Sequence, residues 1–339
     1  MEKTDQIEIL SLANTIEEFK HDFAPQTFDE YLGQTELKQK LAVYTIAAKQ
    51  RQEPLDHALF FGPPGLGKTT LSQIMANVMG VGIKICSGPT LERTGDLVAI
   101  LSSLETRDIL FIDEIHRLPN AVEEVLYNAM ELFRVDVIIG QGAGAKTVNL
   151  PIAPFTLIGA TTKSGMLSAP LRSRFGIIER LEFYNEEELT QIVLQSAQFL
   201  QLKIETNSAT KIAKCARGTP RIAKKILRRV RDFAQVHNQN TASELIVTKA
   251  LEFLGLDQDG LTQLDHVLLK KILEHFGGGP VGLDTLAAMI GEDCETIESV
   301  YEPYLLRKGY LERTSRGRQI PAAAQIHLRK KFFGQQTTF

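Results

Sequence analysis

The feature that most constrains this chain is the stretch 59-LFFGPPGLGKTTLSQI-74, where an apolar run leads through a glycine- and proline-rich turn into Lys68, Thr69 and Thr70. Residues 62–69 have the P-loop spacing G-x-x-x-x-G-K-[ST]. In such a loop, glycines let backbone N–H groups converge on phosphate oxygens, and the following helix points its positive end at the same place. A strand-like run before the loop and a helical pattern after it favour this interpretation over a chance match. We therefore expect Lys68 to bind phosphate and the Thr69 hydroxyl to face Mg²⁺.

A second motif, 109-ILFIDE-114, is an apolar run that ends in two carboxylates. Such a run is typical of a fully buried strand in a parallel sheet, and ligand sites in these sheets lie at the carboxyl ends of the strands. We expect Asp113 to help hold Mg²⁺ and Glu114 to activate water for attack on a γ phosphate. The alternative is a strand that ends in solvated acids. The P-loop earlier in the chain favours the functional interpretation over this alternative. His116, which follows in 113-DEIH-116, is predicted to be a plain helix-start residue.

Two further motifs carry groups suited to phosphoryl transfer. The run 155-FTLIGATT-162 ends in Thr161 and Thr162, either of which could bind the γ phosphate or the attacking water. Arg174 and Arg221 follow in 170-PLRSRFG-176 and 218-GTPR-221. Phosphoryl transfer builds negative charge, and an arginine supplied from outside the pocket can stabilise it. Taken alone, these arginines would be read as surface charges.

Composition places the chain among ordinary globular proteins. Its 339 residues are 43% hydrophobic and 23% charged, which allows two or three domains. The three cysteines are far apart and have no metal-ligand spacing, which suggests buried thiols in a reducing compartment. The N-terminal stretch carries acids throughout and lacks the apolar core of a signal peptide. No apolar run approaches the ~20 residues that cross a bilayer. We therefore expect a cytoplasmic location and no membrane partner.

The rest of the chain predicts a hairpin, a helical segment and a DNA-binding domain. Alternating apolar residues flank a glycine-rich tip in 134–150, which is typical of a β-hairpin, with a plain sheet extension as the alternative. Residues 185–256 have a helical pattern throughout. Residues 257–339 predict three helices, the third bent near Pro303, and then a short hairpin. That combination favours a winged helix.

The winged-helix segment is locally basic. Residues 307–331 hold eight lysines and arginines and only Glu312 as an acid. Three arginines of the predicted wing, Arg313, Arg316 and Arg318, are candidate ligands for DNA phosphates. The alternative is a wing that contacts protein, because winged helices serve both uses.

These motifs, in this order, resemble the AAA+ ATPases and, more closely, the RuvB family. The resemblance is carried by GPPGLGKTT, LFIDEIHRL, LIGATT, PLRSRFGI, RLEFY, RGTPRIA and GGPVGLDTLA, with RGR near the end. It implies an α/β P-loop core with a parallel sheet flanked by helices (1–184), an all-α lid (185–256) and a C-terminal winged-helix domain (257–339). It also implies an ATP-driven motor for branch migration of Holliday junctions in DNA recombination and repair. The expected partners are duplex DNA, the other subunits of a homohexamer, a RuvA-like protein docked on the 134–150 hairpin, and a junction resolvase.

The resemblance also assigns site residues. Arg174 matches the family's arginine finger, which reaches a neighbouring subunit's nucleotide, and Arg221 matches the sensor 2 arginine. Asp113 and Glu114 match the Walker B pair. The ATP or ADP contacts implied in full are Phe23, Ala24, Gly65, Lys68, Thr69, Thr70, Glu131, Leu132, Phe133, Thr161, Thr162, Arg174, Tyr184 and Arg221.

Two departures from the family pattern concern single side chains. Phe23-Ala24-Pro25 stands where the family usually has Leu/Ile-Arg-Pro, so one arginine contact with the nucleotide is missing. Cys294 stands where relatives often carry a basic residue that faces DNA. Neither position belongs to the hydrolysis motifs.

Other AAA+ proteins offer two alternatives. Replication initiators also join this core to a winged helix, and they use ATP as an assembly switch at particular DNA sites. Sliding-clamp loaders share the core but not the winged helix. The hairpin at 134–150 and the detailed motif match favour the motor.

Overall fold

The computed structural model describes residues 24–139, 146–237 and 240–334. Phe23, one of the predicted nucleotide contacts, and the tip of the predicted hairpin lie outside these ranges. The chain forms two compact units: the first runs to Phe199 and includes Gly218–Ile222, and the second contains Leu200–Arg217 and the chain from Ala223 onward. Within the described residues, no helix has both the length and the apolar character needed to span a membrane.

The first unit is built on a parallel sheet. Its strands are β1 (Ala58–Phe61), β2 (Ile83–Ser87), β3 (Ile109–Asp113), β4 (Arg134–Ile139), β5 (Lys146–Pro151), β6 (Thr156–Thr161) and β7 (Ile177–Arg180). Five of them form one sheet in the order β2-β3-β6-β1-β7, and every neighbouring pair in it is parallel. Its helices are α1 (Thr35–Arg51), α2 (Lys68–Met79), α3 (Thr94–Ser102), α4 (Asn120–Leu132), α5 (Ala169–Arg172) and α6 (Glu186–Phe199).

The central strands are buried because both faces of the sheet are covered. All six residues of β6 are buried, as are the first four of β3, which explains why these strands read as continuous apolar runs. Around them, Leu59, Leu110, Ile112 and Leu157 belong to one apolar core. Since all five strands run the same way, the P-loop that follows β1 and the polar residues that end β3 and β6 meet at one edge.

The predicted β-hairpin is confirmed. Strands β4 and β5 pair antiparallel, with Arg134 opposite Pro151 and Val135 opposite Leu150. The hairpin follows directly after α4, and β6 begins a few residues beyond its end.

The second unit is mainly helical. Its helices are α7 (Thr206–Cys215), α8 (Pro220–Val236, whose first residues belong to the first unit), α9 (Glu244–Phe253), α10 (Gln263–Phe276), α11 (Leu283–Ile290), α12 (Cys294–Thr296), α13 (Glu302–Arg307) and α14 (Ala322–Phe333). Its strands are β8 (Lys203–Ile204), β9 (Thr241–Ala242), β10 (Glu312–Thr314) and β11 (Gly317–Gln319). The two-residue strands β8 and β9 pair in parallel. This pair departs from the predicted all-helical segment, because strands so short leave no periodic signal.

The winged-helix prediction holds in outline and differs in two details. The third helix is broken by a π-helical turn, Ile297–Tyr301, immediately before α13. Pro303 explains the interruption, because a proline has no N–H to donate to the preceding turn. The second difference is α14, which follows the hairpin and was not predicted. Its buried residues Ala324 and Leu328 lie four apart among basic residues that hide the pattern.

Candidate nucleotide site and DNA-binding wing

The P-loop connects the end of β1 to the first turn of α2. Gly65 and Gly67 adopt positive φ values of 79° and 103°, a region that favours glycine. A Cβ on Gly67 would lie 2.5 Å from the hydroxyl of Tyr31, so a side chain there would collide with the tyrosine. Thr69 and Thr70 lie in the first turn of α2 and are half-buried. The loop therefore has the backbone of a phosphate cradle, with both threonines at the positive end of a helix.

Lys68 is held inside this loop. Its Nζ donates hydrogen bonds of 2.9 Å to the carbonyl oxygens of both Gly62 and Pro63. Burial lowers the pKa of Lys68, whereas the nearby carboxylates of Asp113 and Glu114 act in the opposite direction. The lysine and the two acids are therefore close enough for their charges to interact.

Asp113 ends β3 at this edge, and Glu114 follows it. The Asp113 carboxylate accepts a hydrogen bond of 3.0 Å from the backbone N–H of Glu114. Glu114 has φ 52°, a left-handed conformation that is uncommon for a residue with a side chain. Its side chain is 34% exposed and can therefore meet a water molecule. Strained backbone of this kind is often found at functional sites.

The structure separates the two threonines that end β6. Thr161 is fully buried, its Oγ1 lies 2.8 Å from His116 Nδ1, and it accepts a hydrogen bond of 3.0 Å from the N–H of Lys163. Thr162 is half-buried, and its side chain makes no recorded hydrogen bond within the described ranges. Of the two, Thr162 is therefore the one free to contact a phosphate or a water.

His116 has more contacts than a plain helix-start residue needs. It lies in a 3-10 turn, Ile115–Arg117, and its side chain is only 5% exposed. Besides Thr161, the ring approaches Glu114, with 3.4 Å between His116 Nε2 and Glu114 Oε2. The sequence pattern gave no sign of this double contact.

Tyr184 and Arg221 also lie beside the P-loop. The Tyr184 hydroxyl donates to the hydroxyl of Tyr31 at 2.8 Å, and the Tyr31 hydroxyl donates to the carbonyl of Leu66 at 3.2 Å. The Arg221 N–H donates to the carbonyl oxygen of Gly65 at 3.4 Å. Tyr31 was missed from the sequence, because nothing in 28-FDEYLGQ-34 has the form of a motif. Burial raises the pKa of Tyr184 to about 12 and that of Tyr31 well above its usual value, so both hydroxyls keep their protons at neutral pH.

Arg174 belongs to a second group of contacts. Its guanidinium donates to the carbonyl oxygen of Pro170 at 2.7 Å, pairs with Glu131 at 3.1 Å, and lies 4.5 Å from the centre of the Tyr127 ring. Its Nε is buried and has no hydrogen-bond partner among the described residues. The contacts recorded for Arg174 thus join it to α4 and α5, and none joins it to Lys68.

Leu132 and Phe133 follow Glu131 at the end of α4. Leu132 is 52% exposed, and Phe133 packs edge-on against the ring of Phe155 with 6.1 Å between centroids. Ala24 lies at the start of the described chain, where its carbonyl accepts a hydrogen bond of 2.9 Å from the Gln26 side chain. These recorded contacts place none of the three against the P-loop.

The wing carries the three predicted arginines in different surroundings. Arg313 and Arg318 face each other across β10 and β11, and their Nε atoms donate to the two carboxylate oxygens of Glu302 at 2.7 and 2.6 Å. Arg318 also donates to Glu298 at 2.6 Å. Arg316 lies in the exposed turn between the strands, and its side chain has no recorded partner in the described part of the chain. Of the three arginines, Arg316 is the one with no recorded ion pair to a carboxylate of the described residues.

The donor set suits a magnesium ion that is held largely by a nucleotide. Within the described residues, no group of three or more His, Cys, Asp or Glu side chains could hold a metal. The Thr69 hydroxyl and the Asp113 carboxylate supply oxygen ligands, which Mg²⁺ prefers, and Mg²⁺ is usually held by one or two protein ligands together with phosphates and water. Cys86, Cys215 and Cys294 are all free thiols. Cys215 is buried as expected, whereas Cys86 and Cys294 are only partly buried.

Family models match nearly the whole described chain in three consecutive pieces. Residues 23–181 match the P-loop domain of the Holliday junction DNA helicase RuvB, 184–257 the RuvB AAA lid domain, and 258–329 the RuvB C-terminal winged helix domain. The second and third matches fall on the predicted lid and winged-helix segments.

Individual proteins give the same result. The chain is 54% identical over 308 residues to the Holliday junction branch migration complex subunit RuvB of Ligilactobacillus salivarius (91% of this chain, 92% of the relative). It is 52% identical over 326 residues to that of Enterococcus faecalis (96% of each). The solved structure of the Thermotoga maritima RuvB Holliday junction branch migration motor superposes with a TM-score of 0.79 at 49% identity, over 91% of this chain and 98% of that one. With a P-loop AAA+ core, an AAA lid and a winged helix all matched, the chain belongs to the RuvB family.

Proposed function

We propose that the chain is an ATP-driven motor subunit that moves duplex DNA through a ring and so drives branch migration of Holliday junctions. The observation that carries the proposal is the meeting of P-loop, acidic pair and polar strand end at one edge of a parallel sheet, in a RuvB-family chain that ends in a winged helix. A motor must pass over any DNA sequence. Binding through phosphates, as expected of a basic wing, suits that requirement.

Hydrolysis is assigned to residues of the P-loop edge. Lys68 binds the β and γ phosphates, with Gly65 and Thr70 in the cradle, and Glu114 accepts a proton from the attacking water. As the oxygen–phosphorus bond forms, the bond from the γ phosphorus to the bridging oxygen breaks, and the lysine stabilises the charge that develops. Thr162 orients the γ phosphate or the water, and its partial exposure supports that role.

Mg²⁺ fits the same edge. We assign the Thr69 hydroxyl and the Asp113 carboxylate as its protein ligands, because both are oxygen donors in a site that also holds Lys68. When bound, the ion neutralises charge on the phosphate oxygens and orients them.

Tyr184 and Arg221 are assigned to the nucleotide as well. Both lie next to P-loop backbone, through Leu66 and Gly65 respectively. A position beside the loop lets Arg221 report whether a phosphate is present. The assignments of Phe23 and Ala24 rest on the resemblance, since the contacts recorded for Ala24 do not involve the P-loop.

Arg174 is assigned to a neighbouring subunit's nucleotide. Its contacts are with Glu131 and Tyr127, which supports a surface separate from its own phosphate cradle. Glu131, Leu132 and Phe133 would belong to that same surface. Six such subunits closing a ring would place each Arg174 beside the next subunit's ATP, and we propose this hexamer as the working form.

The wing is assigned to DNA and the hairpin to a protein partner. Arg316 would bind phosphate directly. Arg313 and Arg318 would stabilise the wing through Glu302 and add to the positive electrostatic potential near the DNA. On β5, Val148 and Leu150 are 44% and 38% exposed, which supports docking of a RuvA-type junction-binding protein on 134–150. A junction resolvase would act on the same complex. With DNA as substrate and free thiols throughout, we place the protein in the cytoplasm.

The test is ATP-driven conversion of a synthetic four-way DNA junction to duplexes, with and without a RuvA-type partner. Lys68→Ala removes the phosphate ligand. Lys40→Ala is the matched control, because it removes an exposed lysine of the same unit whose recorded partner among the described residues is Glu179. The expected result is conversion that requires ATP and Lys68 and is unaffected by loss of Lys40. ATP binding without any conversion, even with the partner, would overturn the motor and favour a switch that assembles at a preferred DNA site.

A further inference from the structure

His116 lies between two motifs of the proposed hydrolysis site. Its side chain is 5% exposed, with Nδ1 2.8 Å from Thr161 Oγ1 and Nε2 3.4 Å from Glu114 Oε2. Glu114 follows β3 and Thr161 ends β6, and these strands are neighbours in the sheet. One buried ring therefore contacts the ends of two adjacent strands.

The hydrogen-bond capacities of these groups fix a direction along the contacts. A carboxylate only accepts hydrogen bonds, so the approach of Glu114 to Nε2 at 3.4 Å favours the tautomer that carries its proton on Nε2. In a neutral ring, Nδ1 then accepts from the Thr161 hydroxyl. The Thr161 oxygen in turn accepts from the backbone N–H of Lys163. The chain of contacts then runs from the Lys163 backbone N–H through Thr161 and His116, and its last step is the 3.4 Å approach to the Glu114 carboxylate.

The electrostatic surroundings agree with a neutral ring. Burial lowers the pKa of His116, and Glu114 opposes this by favouring the charged form. The positive charges of Lys163 and Arg117 lower the pKa further, and Asp113 opposes them. The net direction is downward, so the ring is neutral at neutral pH.

Thr161 is joined to Thr162 by a single peptide bond. Thr162 is the half-buried residue to which we assigned contact with the γ phosphate or the water. Because the two residues share one peptide plane, a displacement of the Thr162 backbone can be passed to Thr161. The contacts of the imidazole provide a route from Thr161 to Glu114.

We propose that His116 is a positioning residue for ATP hydrolysis, which ties the Glu114 carboxylate to the end of β6 and so aligns it when Thr162 meets the γ phosphate. The inference rests on the roles proposed for Glu114 and Thr162. In this role His116 acts only through the orientation of Glu114, and it needs no contact of its own with phosphate or water.

Three variants break or keep the link. His116→Phe keeps an aromatic ring and loses both nitrogens, and Thr161→Val keeps the shape and loses the hydroxyl. Thr161→Ser keeps the hydroxyl. Thr156→Val is the matched control, since Thr156 is a fully buried threonine on the same strand whose hydroxyl donates to the Leu55 carbonyl at 2.8 Å, away from the site.

The expected result is a loss of turnover with binding retained. His116→Phe should lower kcat for ATP about tenfold or more, because partners that orient a reacting group typically contribute about 10- to 100-fold. Thr161→Val should lower kcat as well, with KM for ATP unchanged within about twofold in both variants. The double variant should be no slower than His116→Phe alone, because both changes break the same link. Thr161→Ser should keep kcat near the wild-type value, because it retains the hydroxyl. Thr156→Val should lower thermal stability and leave kcat unchanged.

Other outcomes would overturn the inference. If His116→Phe unfolds, His116→Gln and Thr161→Val still test the link in a folded protein. Loss of stability with normal kcat would mean that the ring only packs, and losses that multiply in the double variant would mean that the two residues act separately. Glu114→Gln separates this from the parent proposal: if that variant still hydrolyses ATP, the assignment of Glu114 fails first.

Discussion

Glu302 forms ion pairs with two arginines of the wing. Removing its charge should therefore destabilise the wing without destabilising the rest of the chain. Its side chain is fully buried at the start of α13, and each carboxylate oxygen accepts from one wing arginine, Arg313 or Arg318. Those arginines are direct cross-strand neighbours, so they repel each other unless a negative charge lies between them. Glu302→Gln keeps the shape of the side chain and removes that charge.

The size of the effect follows from how well each arginine can recover hydration. Removing one member of a buried ion pair costs about 3–5 kcal/mol. The Arg313 side chain is 50% exposed and can return to water, whereas Arg318 is 15% exposed and cannot do so fully. Glu298 continues to pair with Arg318. We therefore expect a cost at the lower end of this range, about 3 kcal/mol. This corresponds to roughly a 100-fold change in the equilibrium between the closed and the open wing.

Hydrogen exchange of backbone amides measures this locally in the intact protein. The N–H groups of Val281 and Arg318 donate to each other's carbonyl oxygens at 2.9 and 2.8 Å, and they report on opening of the wing. In Glu302→Gln we expect both to exchange about 100-fold faster, with amides of β3 unchanged. Glu274→Gln, an exposed carboxylate on α10, is the control for loss of one charge. An acceleration below about tenfold would refute the reasoning, because the charge would then not be what stabilises the hairpin.

Three further predictions follow from the same geometry. Arg316→Ala should reduce the slope of log affinity for duplex DNA against log salt by about 0.9 per lost phosphate contact; an unchanged slope in fluorescence anisotropy would exclude Arg316 from the DNA interface. Arg174→Ala and Lys68→Ala should each abolish ATP hydrolysis in a pure ring, and mixing the two should recover part of it, since some interfaces then pair an intact lysine with an intact arginine; no recovery would argue that Arg174 acts within its own subunit. Tyr31→Phe and Tyr184→Phe should each weaken ADP binding about fivefold, the equivalent of one buried hydrogen bond at about 1 kcal/mol; equal calorimetric affinities would restrict the tyrosines to a folding role.

The sequence predicted the parts of the site that are local in the chain. Apolar runs that end in polar residues identified β3 and β6, and the P-loop spacing identified the turn before α2. These features can be read because fully buried strands must be apolar and because the loop needs glycine at positions such as Gly67. The hairpin at 134–150 was predicted for a similar reason, since its alternation lies within one short stretch.

The contacts that the sequence did not predict join residues far apart in the chain. Tyr31 reaches the carbonyl of Leu66, 35 residues away, and His116 reaches Thr161, 45 residues away. Neither pair has a spacing that any repeat or motif would reveal. The choice between Thr161 and Thr162 likewise depends on burial at the end of β6, which only the packed sheet determines.

In the wing, too, the sequence did not predict which charged residues pair with each other. Composition predicted a basic hairpin, and all three arginines looked equivalent as phosphate ligands. Two of these arginines, however, pair with Glu302. Glu302 lies just after a π-helical turn, and the sequence predicted only a bend near Pro303 at this place. Glu302 precedes the basic segment in the sequence, and its pairing with the wing arginines appears only in the folded structure.

The contacts of Arg174 suggest why a RuvB-type ATPase would depend on assembly. Its pairing with Glu131 is partly open to solvent, with the glutamate side chain 54% exposed, and pairs of this kind contribute at most about 1 kcal/mol. A triphosphate carries several negative charges, so it outcompetes a single half-exposed carboxylate for the guanidinium. Releasing Arg174 from Glu131 therefore costs little, while the Tyr127 ring can still hold the arginine near its surface position. Within the described residues, no recorded contact joins the phosphate cradle to Arg174 of the same subunit. If Arg174 acts as we propose, Lys68 stabilises part of the charge that develops during hydrolysis, and the arginine of a second subunit supplies the rest.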